Sequence, residues 1–183
     1  MTVDELKTLL ENFNLLATTS RGNEKPACYE LLYLLKDDLC DADAVVGKTG
    51  ISGLVVAKTT FEPFAAIEKL RAILQEQPYK FRYTLRVIPV EKVVRTDLEE
   101  VKRAAAELSL RIHDNETFRV TVEKRFTSIH TSDFIKAAAE GITRRVDLEN
   151  PDKILLIEVV GGFTGLSLIR PSEILTVVKE KML

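Results

Sequence analysis

The sequence predicts an α/β (α+β) protein with two modules, in which short strands alternate with amphipathic helices. Three observations favour this fold class. They are the order of strand and helix patterns in residues 1–89, a second alternation in residues 90–183, and a hydrophobic content of 45%. That content is ordinary for a globular protein, so the chain has a core to bury. We expect two small domains with these boundaries.

The first module shows the order strand, helix, strand, strand, helix, strand. Arg21-Gly22-Asn23 closes the first strand, Pro26 and Pro63 stand where a first helical turn tolerates proline, and a glycine-bearing segment at 48–52 joins the middle strands. The expected ranges are strands at 14–20, 42–47, 53–59 and 81–90, and helices from Pro26 to Leu39 and from Pro63 to Leu74. This order predicts the split βαβ arrangement of a ferredoxin-like module.

The second module begins with a helix-capping signal. Thr96 with Glu99, and Asp97 with Glu100, both fit a capping box, and apolar residues then recur at three- and four-residue steps. The expected ranges are helices at 97–112, 131–146 and 172–182, and strands at 117–123, 154–160 and 166–169. The middle helix is expected to bury Ile135, Ala139, Ile142 and Val146.

Composition argues against several classes of protein. No run of eighteen apolar residues occurs, and the acidic, amphipathic N-terminus is unlike a secretory signal. Cys28 and Cys40 stand twelve residues apart, unlike a CxxC pair, and His113 and His130 lack cysteine neighbours. We therefore expect a cytoplasmic protein with no membrane contact, no metal and no cofactor.

The residues that suggest catalysis have simpler interpretations. Gly47-Lys48-Thr49 echoes the end of a phosphate loop, but Ala42 stands where that motif needs glycine, so a hairpin turn fits better. Glu99 and Glu100 begin a helix, where acidic residues interact favourably with the helix dipole. Cys28 lies on the apolar face of its helix and is expected in the core. We expect that the chain is not an enzyme.

One stretch has the charge that phosphate binding needs. The net charge of the chain is −2, but residues 117–146 contain six basic and three acidic residues. The expected strand delivers Lys124 and Arg125 to the start of a helix, which presents free backbone N–H groups. Another interpretation stays open, in which Lys136 and Arg144 only form ion pairs along a solvated helix face.

Several segments resemble the THUMP domain of RNA-modification proteins. They are FRVTVEKRFTS at 118–128, the helix after it, VDLENPD at 146–152 and GLSLI at 165–169. The resemblance covers residues 90–178 and implies an α/β domain with a mixed sheet, while residues 1–89 fit the ferredoxin-like module that commonly precedes it. VVRTDLEE at 93–100 is further similar to stand-alone THUMP proteins that assist the tRNA cytidine acetyltransferase.

The resemblance implies tRNA binding, generally towards the acceptor stem and its 3′ end. By position it assigns RNA binding to Arg119, Lys124 and Arg125, with Ser128 beside them. Charge geometry adds three further candidates, Lys136, Arg144 and Arg145. Asp147 and Pro151 are expected to form a structural turn.

The function that follows is a tRNA-binding adaptor that presents tRNA to a separate cytidine acetyltransferase for 4-acetylcytidine formation. Many THUMP proteins fuse this domain to a catalytic domain. Here the two modules account for all 183 residues, so we expect catalysis from a partner and no small-molecule substrate. Two alternatives stay open: an RNA-binding subunit of another tRNA modification enzyme, and a small-molecule-binding regulatory module, because ferredoxin-like folds host many functions.

Overall fold

The computed structural model describes residues 1–182, which form two compact units. The first unit contains residues 1–90 together with the C-terminal segment from Glu173, and the second contains residues 91–172. Each unit is built around one five-stranded sheet. None of the helices in the described part of the chain is long and apolar enough to cross a membrane.

The first unit is a ferredoxin-like fold with an added helix and an added strand. Its helices are α1 (Val3–Asn12), α2 (Glu24–Tyr33, continued by a π-helical turn at Leu34–Asp38), α3 (Pro63–Glu76) and α6 (Val177–Lys181). Its strands are β1 (Leu15–Thr19), β2 (Val45–Lys48), β3 (Leu54–Lys58), β4 (Thr84–Pro89) and β10 (Leu175–Thr176). The order β10-β4-β1-β3-β2 is antiparallel throughout. The predicted ferredoxin-like module is confirmed.

The inner strands of this sheet are apolar because one of their faces lies against α2 and α3. Leu15 and Ala17 of β1 share a core cluster with Val55 of β3, Leu31 of α2 and Leu70 of α3, and all five are buried. Successive strand residues point to opposite faces, so every second residue of β1 supplies this core.

The C-terminal segment differs from the helix predicted at 172–182. Leu175 pairs with Val87 as part of β10, and only α6 after it is helical. Leu175 and Val177 are buried in the core of the first unit, and the Lys181 Nζ donates to the Phe81 carbonyl at 2.8 Å. Although residues 90–183 are expected to form one domain, this segment packs with the first unit. Pairing with a distant strand leaves no local periodicity from which it could be predicted.

The second unit has a mixed sheet packed against two helices. Its strands are β5 (Lys92–Arg95), β6 (Thr117–Glu123), β7 (Arg145–Val146), β8 (Lys153–Val160) and β9 (Phe163–Ile169). Its helices are α4 (Leu98–Ser109) and α5 (Thr131–Ala139). In the order β5-β9-β8-β6-β7, β6 runs parallel to β7 and β8, and the other pairs are antiparallel. The predicted α/β domain with a mixed sheet is confirmed.

The helix predicted at 131–146 ends earlier than the sequence pattern suggests. α5 stops at Ala139, and the Ile142 N–H donates to the Ala139 carbonyl, which closes a tight final turn containing Gly141. Glycine is a poor helix former, so the helix ends where it appears. Arg144 and Arg145 therefore lie outside the helix that they were expected to close.

The buried face of α5 also differs from the predicted one. Phe134 and Ala138 are buried, whereas Ile135 is 40% exposed. Val146 has left the helix and pairs with Phe118 as part of β7. A run of apolar residues at helical spacing cannot reveal that its last member gains backbone hydrogen bonds from a strand.

Candidate nucleic-acid interface

The seven residues predicted to bind RNA do not form one patch. They are divided between the two ends of β6 and α5. The start of β6 has Arg119, Arg144 and Arg145; its end has Lys124, Arg125 and Ser128; and Lys136 lies on α5. A strand advances about 3.3 Å per residue, so roughly 17 Å separates Arg119 from Lys124 along β6. We name residues 124–130 the exit loop and residues 143–150 the edge segment.

The exit loop is fixed by its own hydrogen bonds. The Lys124 Nζ donates to the Ile129 carbonyl at 3.1 Å, and the Ile129 N–H donates to the Thr127 Oγ1 at 3.2 Å. The Gly161 N–H binds the Arg125 carbonyl at 3.0 Å. An ammonium group has three donors, so the exposed Lys124 keeps donors for a further acceptor. Ser128 is exposed in the same loop.

The side chain of Arg125 is bound to a buried group of the protein. Its guanidinium binds the Glu158 carboxylate on β8, with 2.8 Å between NH1 and Oε2. The Glu158 side chain is 2% exposed and that of Arg125 is 21% exposed. A buried carboxylate needs a partner, because removing an ion from water is costly. The structure therefore gives Arg125 a folding role that its neighbour Lys124 does not share.

Phe126 is a residue of this loop that the sequence reasoning missed. Its ring is 78% exposed, and its backbone has φ of +56°, in the left-handed region. The alternation along β6 buries Phe118 and half-buries Val120 and Val122 against the core, and its continuation would place Phe126 on the same side. No pattern in the sequence marks this phenylalanine as exposed.

α5 begins directly after the exit loop. Within the described residues, no side chain caps this helix, and the backbone N–H groups of Asp133 and Phe134 bind the His130 carbonyl. Lys136 is exposed on the second turn. The alternative interpretation, in which Lys136 and Arg144 form ion pairs along a helix face, does not match the observed pairs: Glu140 of that face pairs with Lys102 at 3.2 Å and Arg144 pairs with Asp114.

The edge segment uses one of its two arginines within the fold. The Arg144 guanidinium donates to the Ile112 carbonyl at 3.1 Å and pairs with Asp114 at 2.7 Å. Arg145 lies opposite Thr117 in β7 and is exposed. The structure thus brings Arg144 and Arg145 together, far along β6 from Lys124.

Arg119 and Asp147 hold the turn that follows β7. The Arg119 NH1 donates to the Leu148 carbonyl at 2.9 Å. The Asp147 carboxylate accepts the backbone N–H groups of Glu149 and Asn150 at 3.0 Å and 2.9 Å. The predicted structural turn at Asp147 is confirmed, and Arg119 takes part in it.

The carboxylate of Asp152 also binds the start of β6. The Asp152 Oδ2 accepts the backbone N–H of Thr117 at 2.8 Å and its hydroxyl at 3.1 Å. The Thr117 backbone N–H, then its hydroxyl, lower the pKa of the Asp152 carboxyl, and the charges of Arg170 and Arg145 act in the same direction.

The first unit contains two of the features that suggest catalysis in the sequence, the turn at Lys48 and the thiol of Cys28. Lys48 ends β2 and pairs with Val55 in a hairpin, as the turn interpretation predicted. Burial raises the pKa of the Cys28 thiol to about 11, so it stays protonated at neutral pH. Among residues 1–182, no three His, Cys, Asp or Glu side chains are grouped to hold a metal ion.

Comparison with known families assigns the second unit. Residues 95–169 match the THUMP domain, so the chain contains a THUMP domain. The chain is also 25% identical over 152 residues to an uncharacterized protein of Methanocaldococcus jannaschii. That match covers 80% of this chain and 39% of the relative, so the chain spans about two fifths of the relative's length.

Three solved structures share the fold. A Pyrococcus horikoshii protein has a TM-score of 0.63 at 15% identity, covering 87% of this chain and 55% of the other. TrmN from Thermus thermophilus has a TM-score of 0.57 at 18% identity, covering 87% and 47%. A 4-thiouridine synthetase, solved with RNA and bound ATP, has a TM-score of 0.58 at 17% identity, covering 87% and 42%. At these identities the likeness shows the fold alone, and the chain spans about half of each protein.

Proposed function

We propose that this chain is a tRNA-binding adaptor that presents tRNA to a separate cytidine acetyltransferase for 4-acetylcytidine formation. The observation that carries the proposal is the THUMP domain at residues 95–169. The shared fold with TrmN and with a 4-thiouridine synthetase solved with RNA supports a role in tRNA modification. The similarity of VVRTDLEE, at residues 93–100, to the stand-alone THUMP adaptors supports the choice of partner enzyme.

We assign the RNA backbone to the exit loop. Residues 124–130 contain two basic residues and no acidic one. Arg125 neutralises Glu158, so Lys124 supplies the accessible charge of the loop. Ser128 adds a hydroxyl donor, and the exposed Lys136 extends the basic surface along α5. A few positive charges suffice for such a surface, because A-form RNA is recognised mainly through its shape, its phosphates and its 2′-hydroxyl groups.

In this proposal the chain contributes position, and catalysis comes from the partner enzyme. Holding a reactive base next to a catalyst removes translational and orientational freedom before the chemical step. An adaptor that binds the folded tRNA body can therefore accelerate a modification without touching the reacting atoms.

A binding titration tests the first half of the proposal. Labelled tRNA and an unstructured RNA of equal length are each titrated at two salt concentrations. We expect the tRNA to bind more tightly and its affinity to fall steeply as salt rises, because phosphate contacts release condensed counterions. Equal affinity for both RNAs would contradict recognition of the folded shape.

A reconstituted reaction tests the second half. The chain is incubated with tRNA and acetyl-coenzyme A, with and without the cytidine acetyltransferase, and the tRNA is digested to nucleosides. We expect 4-acetylcytidine only when both proteins are present, and more of it than with the enzyme alone. Product formed by this chain alone would overturn the adaptor role.

The two alternatives give different results in the same experiments. A chain that binds tRNA but does not stimulate the acetyltransferase would favour a subunit of another tRNA modification enzyme. A chain that binds no tRNA at either salt concentration would favour a small-molecule-binding regulatory module.

A further inference from the structure

Phe126 is unlike the other phenylalanines of the second unit. Phe118 is 1% exposed, Phe134 is fully buried and Phe163 is half-buried, whereas Phe126 is 78% exposed. A phenylalanine side chain normally contributes to a core, because burying it removes a large apolar area from water. The exposed ring of Phe126 therefore contributes little apolar burial to the core of the second unit.

The backbone of Phe126 adds a second cost. Among residues 1–182, only Cys40 and Phe126 are non-glycine residues with positive φ, and φ of Phe126 is +56°. This conformation costs an L-residue free energy that glycine avoids. Strained residues of this kind concentrate at functional sites, where the surrounding structure holds them in place.

Hydrogen bonds hold the chain on either side of Phe126 in place. The Arg125 carbonyl accepts the Gly161 N–H on one side, and Lys124 and Ile129 are joined through the Lys124 Nζ on the other. The guanidinium of Arg125 is anchored to Glu158 beneath the loop. An exposed aromatic ring is thus carried by a fixed segment of chain, two residues after the exposed Lys124.

We propose that Phe126 is a stacking platform for one unpaired base of a bound RNA, with Lys124 on the adjoining phosphate. This inference rests on the proposed RNA-binding function and adds a residue and a type of contact to it. Stacking on an aromatic side chain is a common way to hold a single-stranded nucleotide, and a nearby cation for the backbone completes the site.

An unpaired base fits this platform better than a duplex does. Within a duplex both faces of each base are covered by its neighbours, so a protein ring cannot reach them, whereas unstacked bases can be splayed onto aromatic side chains. In the exit loop, Phe126 is the single exposed large apolar side chain among the described residues. Its flat ring offers a surface on which a base can stack.

Two RNA hairpins with the same stem, each closed by the same non-nucleotide linker so that the loop offers no unpaired base, provide the test. One has four unpaired nucleotides at its 3′ end and the other is blunt-ended. We expect the wild-type protein to bind the first more tightly, and Phe126→Gly to weaken binding of that hairpin by about 5- to 100-fold while leaving the blunt hairpin unaffected. The range corresponds to the usual contribution of one stacked base.

The glycine variant is chosen so that misfolding cannot mimic the result. Glycine adopts positive φ without strain, so the urea midpoint of Phe126→Gly should not fall. Phe126→Tyr keeps an aromatic ring and should retain the affinity, whereas Phe126→Leu is apolar but not aromatic and should lose it. A 2-aminopurine in the 3′ overhang should show quenched emission with the wild type and Phe126→Tyr, but not with Phe126→Gly.

The outcomes separate this inference from the function on which it rests. If the wild type binds neither hairpin nor tRNA, the proposed function fails. If the wild type binds RNA but Phe126→Gly or Phe126→Leu binds the overhang hairpin equally well, RNA binding stands and stacking is overturned. If Phe126→Gly weakens the binding of both hairpins to the same extent, stacking is also overturned, because the ring would then contribute to RNA binding in general and not to the binding of an unpaired base.

Discussion

The two ends of β6 have similar basic residues but use them differently. At its start, Arg144 binds the Ile112 carbonyl and Asp114, Arg119 binds the Leu148 carbonyl, and the third basic residue, Arg145, stays exposed. At its end, Lys124 contacts one carbonyl of its own loop and stays exposed, beside the outward ring of Phe126. A positive residue is therefore available to a ligand only where the fold provides few acceptors of its own.

Arg125 is the exception at the end of β6, and it gives the largest expected effect. Arg125→Ala should lower the free energy of unfolding by about 3 kcal/mol, because it removes the guanidinium that balances the charge of the buried Glu158 carboxylate. This value is at the low end for a broken buried pair, because a fifth of the Arg125 side chain remains in contact with water. Urea denaturation followed by circular dichroism measures the change.

Two controls sharpen this prediction. Arg119→Ala removes a partly buried arginine bound to a carbonyl but leaves no buried charge, so it should cost about 1 kcal/mol. Adding Glu158→Gln to Arg125→Ala should recover part of the loss, since the amide is neutral. Equal destabilisation by Arg125→Ala and Arg119→Ala would show that the ion pair with Glu158 stabilises the fold no more than a hydrogen bond to a carbonyl does.

Much of the fold could be predicted because it depends on local patterns. The alternation of Thr117–Glu123 gave the bounds of β6, and the capping signal at Asp97 lies at the observed start of α4. β10 and the shortened α5 could not be predicted in the same way. Both depend on a chain segment leaving its own helical pattern to pair with a distant strand, β4 in one case and β6 in the other.

The candidate site was less predictable than the fold. Position in the sequence presents Lys124 and Arg125 as equivalent cations at the end of a strand. The acceptor that separates them, Glu158, is distant in the sequence and becomes a neighbour only through the pairing of β6 with β8. Phe126 shows the reverse: it continues the apolar pattern of β6, but in the structure its backbone is left-handed and its ring is exposed.

A smaller effect on stability is expected at the start of β6. The Thr117 backbone N–H and hydroxyl hold the pKa of the Asp152 carboxyl below its ordinary value. The stabilisation is therefore present above the unfolded pKa, about 3.9, and is lost as pH falls through the lower folded pKa. Asp152→Asn should lower the urea midpoint at pH 7, and the difference from wild type should shrink below about pH 4.

A matched variant in the first unit makes the acid measurement specific. Burial alone would raise the pKa of Asp41, but hydrogen bonds from Thr59 and Thr60 outweigh it and lower the pKa. Asp41→Asn should also lose its difference from wild type in acid, while Asp152→Asn should affect mainly probes in the second unit, such as slow amide exchange in β6. A difference between wild type and Asp152→Asn that is independent of pH would contradict the assigned role of the carboxylate.

The smallest effect concerns free charge, and it compares the two ends of β6 directly. Lys124→Ala should reduce the slope of log affinity for tRNA against log salt by about one, because one phosphate contact is lost. The free energy of unfolding of Lys124→Ala should change by less than about 0.5 kcal/mol, as is usual for an exposed side chain.

Arg144→Ala should leave the slope unchanged, since its guanidinium already binds Ile112 and Asp114. Lys48→Ala in the first unit is the second control, because its hairpin resembles a phosphate loop only in sequence. If Arg144→Ala or Lys48→Ala reduces the slope as much as Lys124→Ala does, the RNA backbone lies elsewhere and the exit loop is not its site.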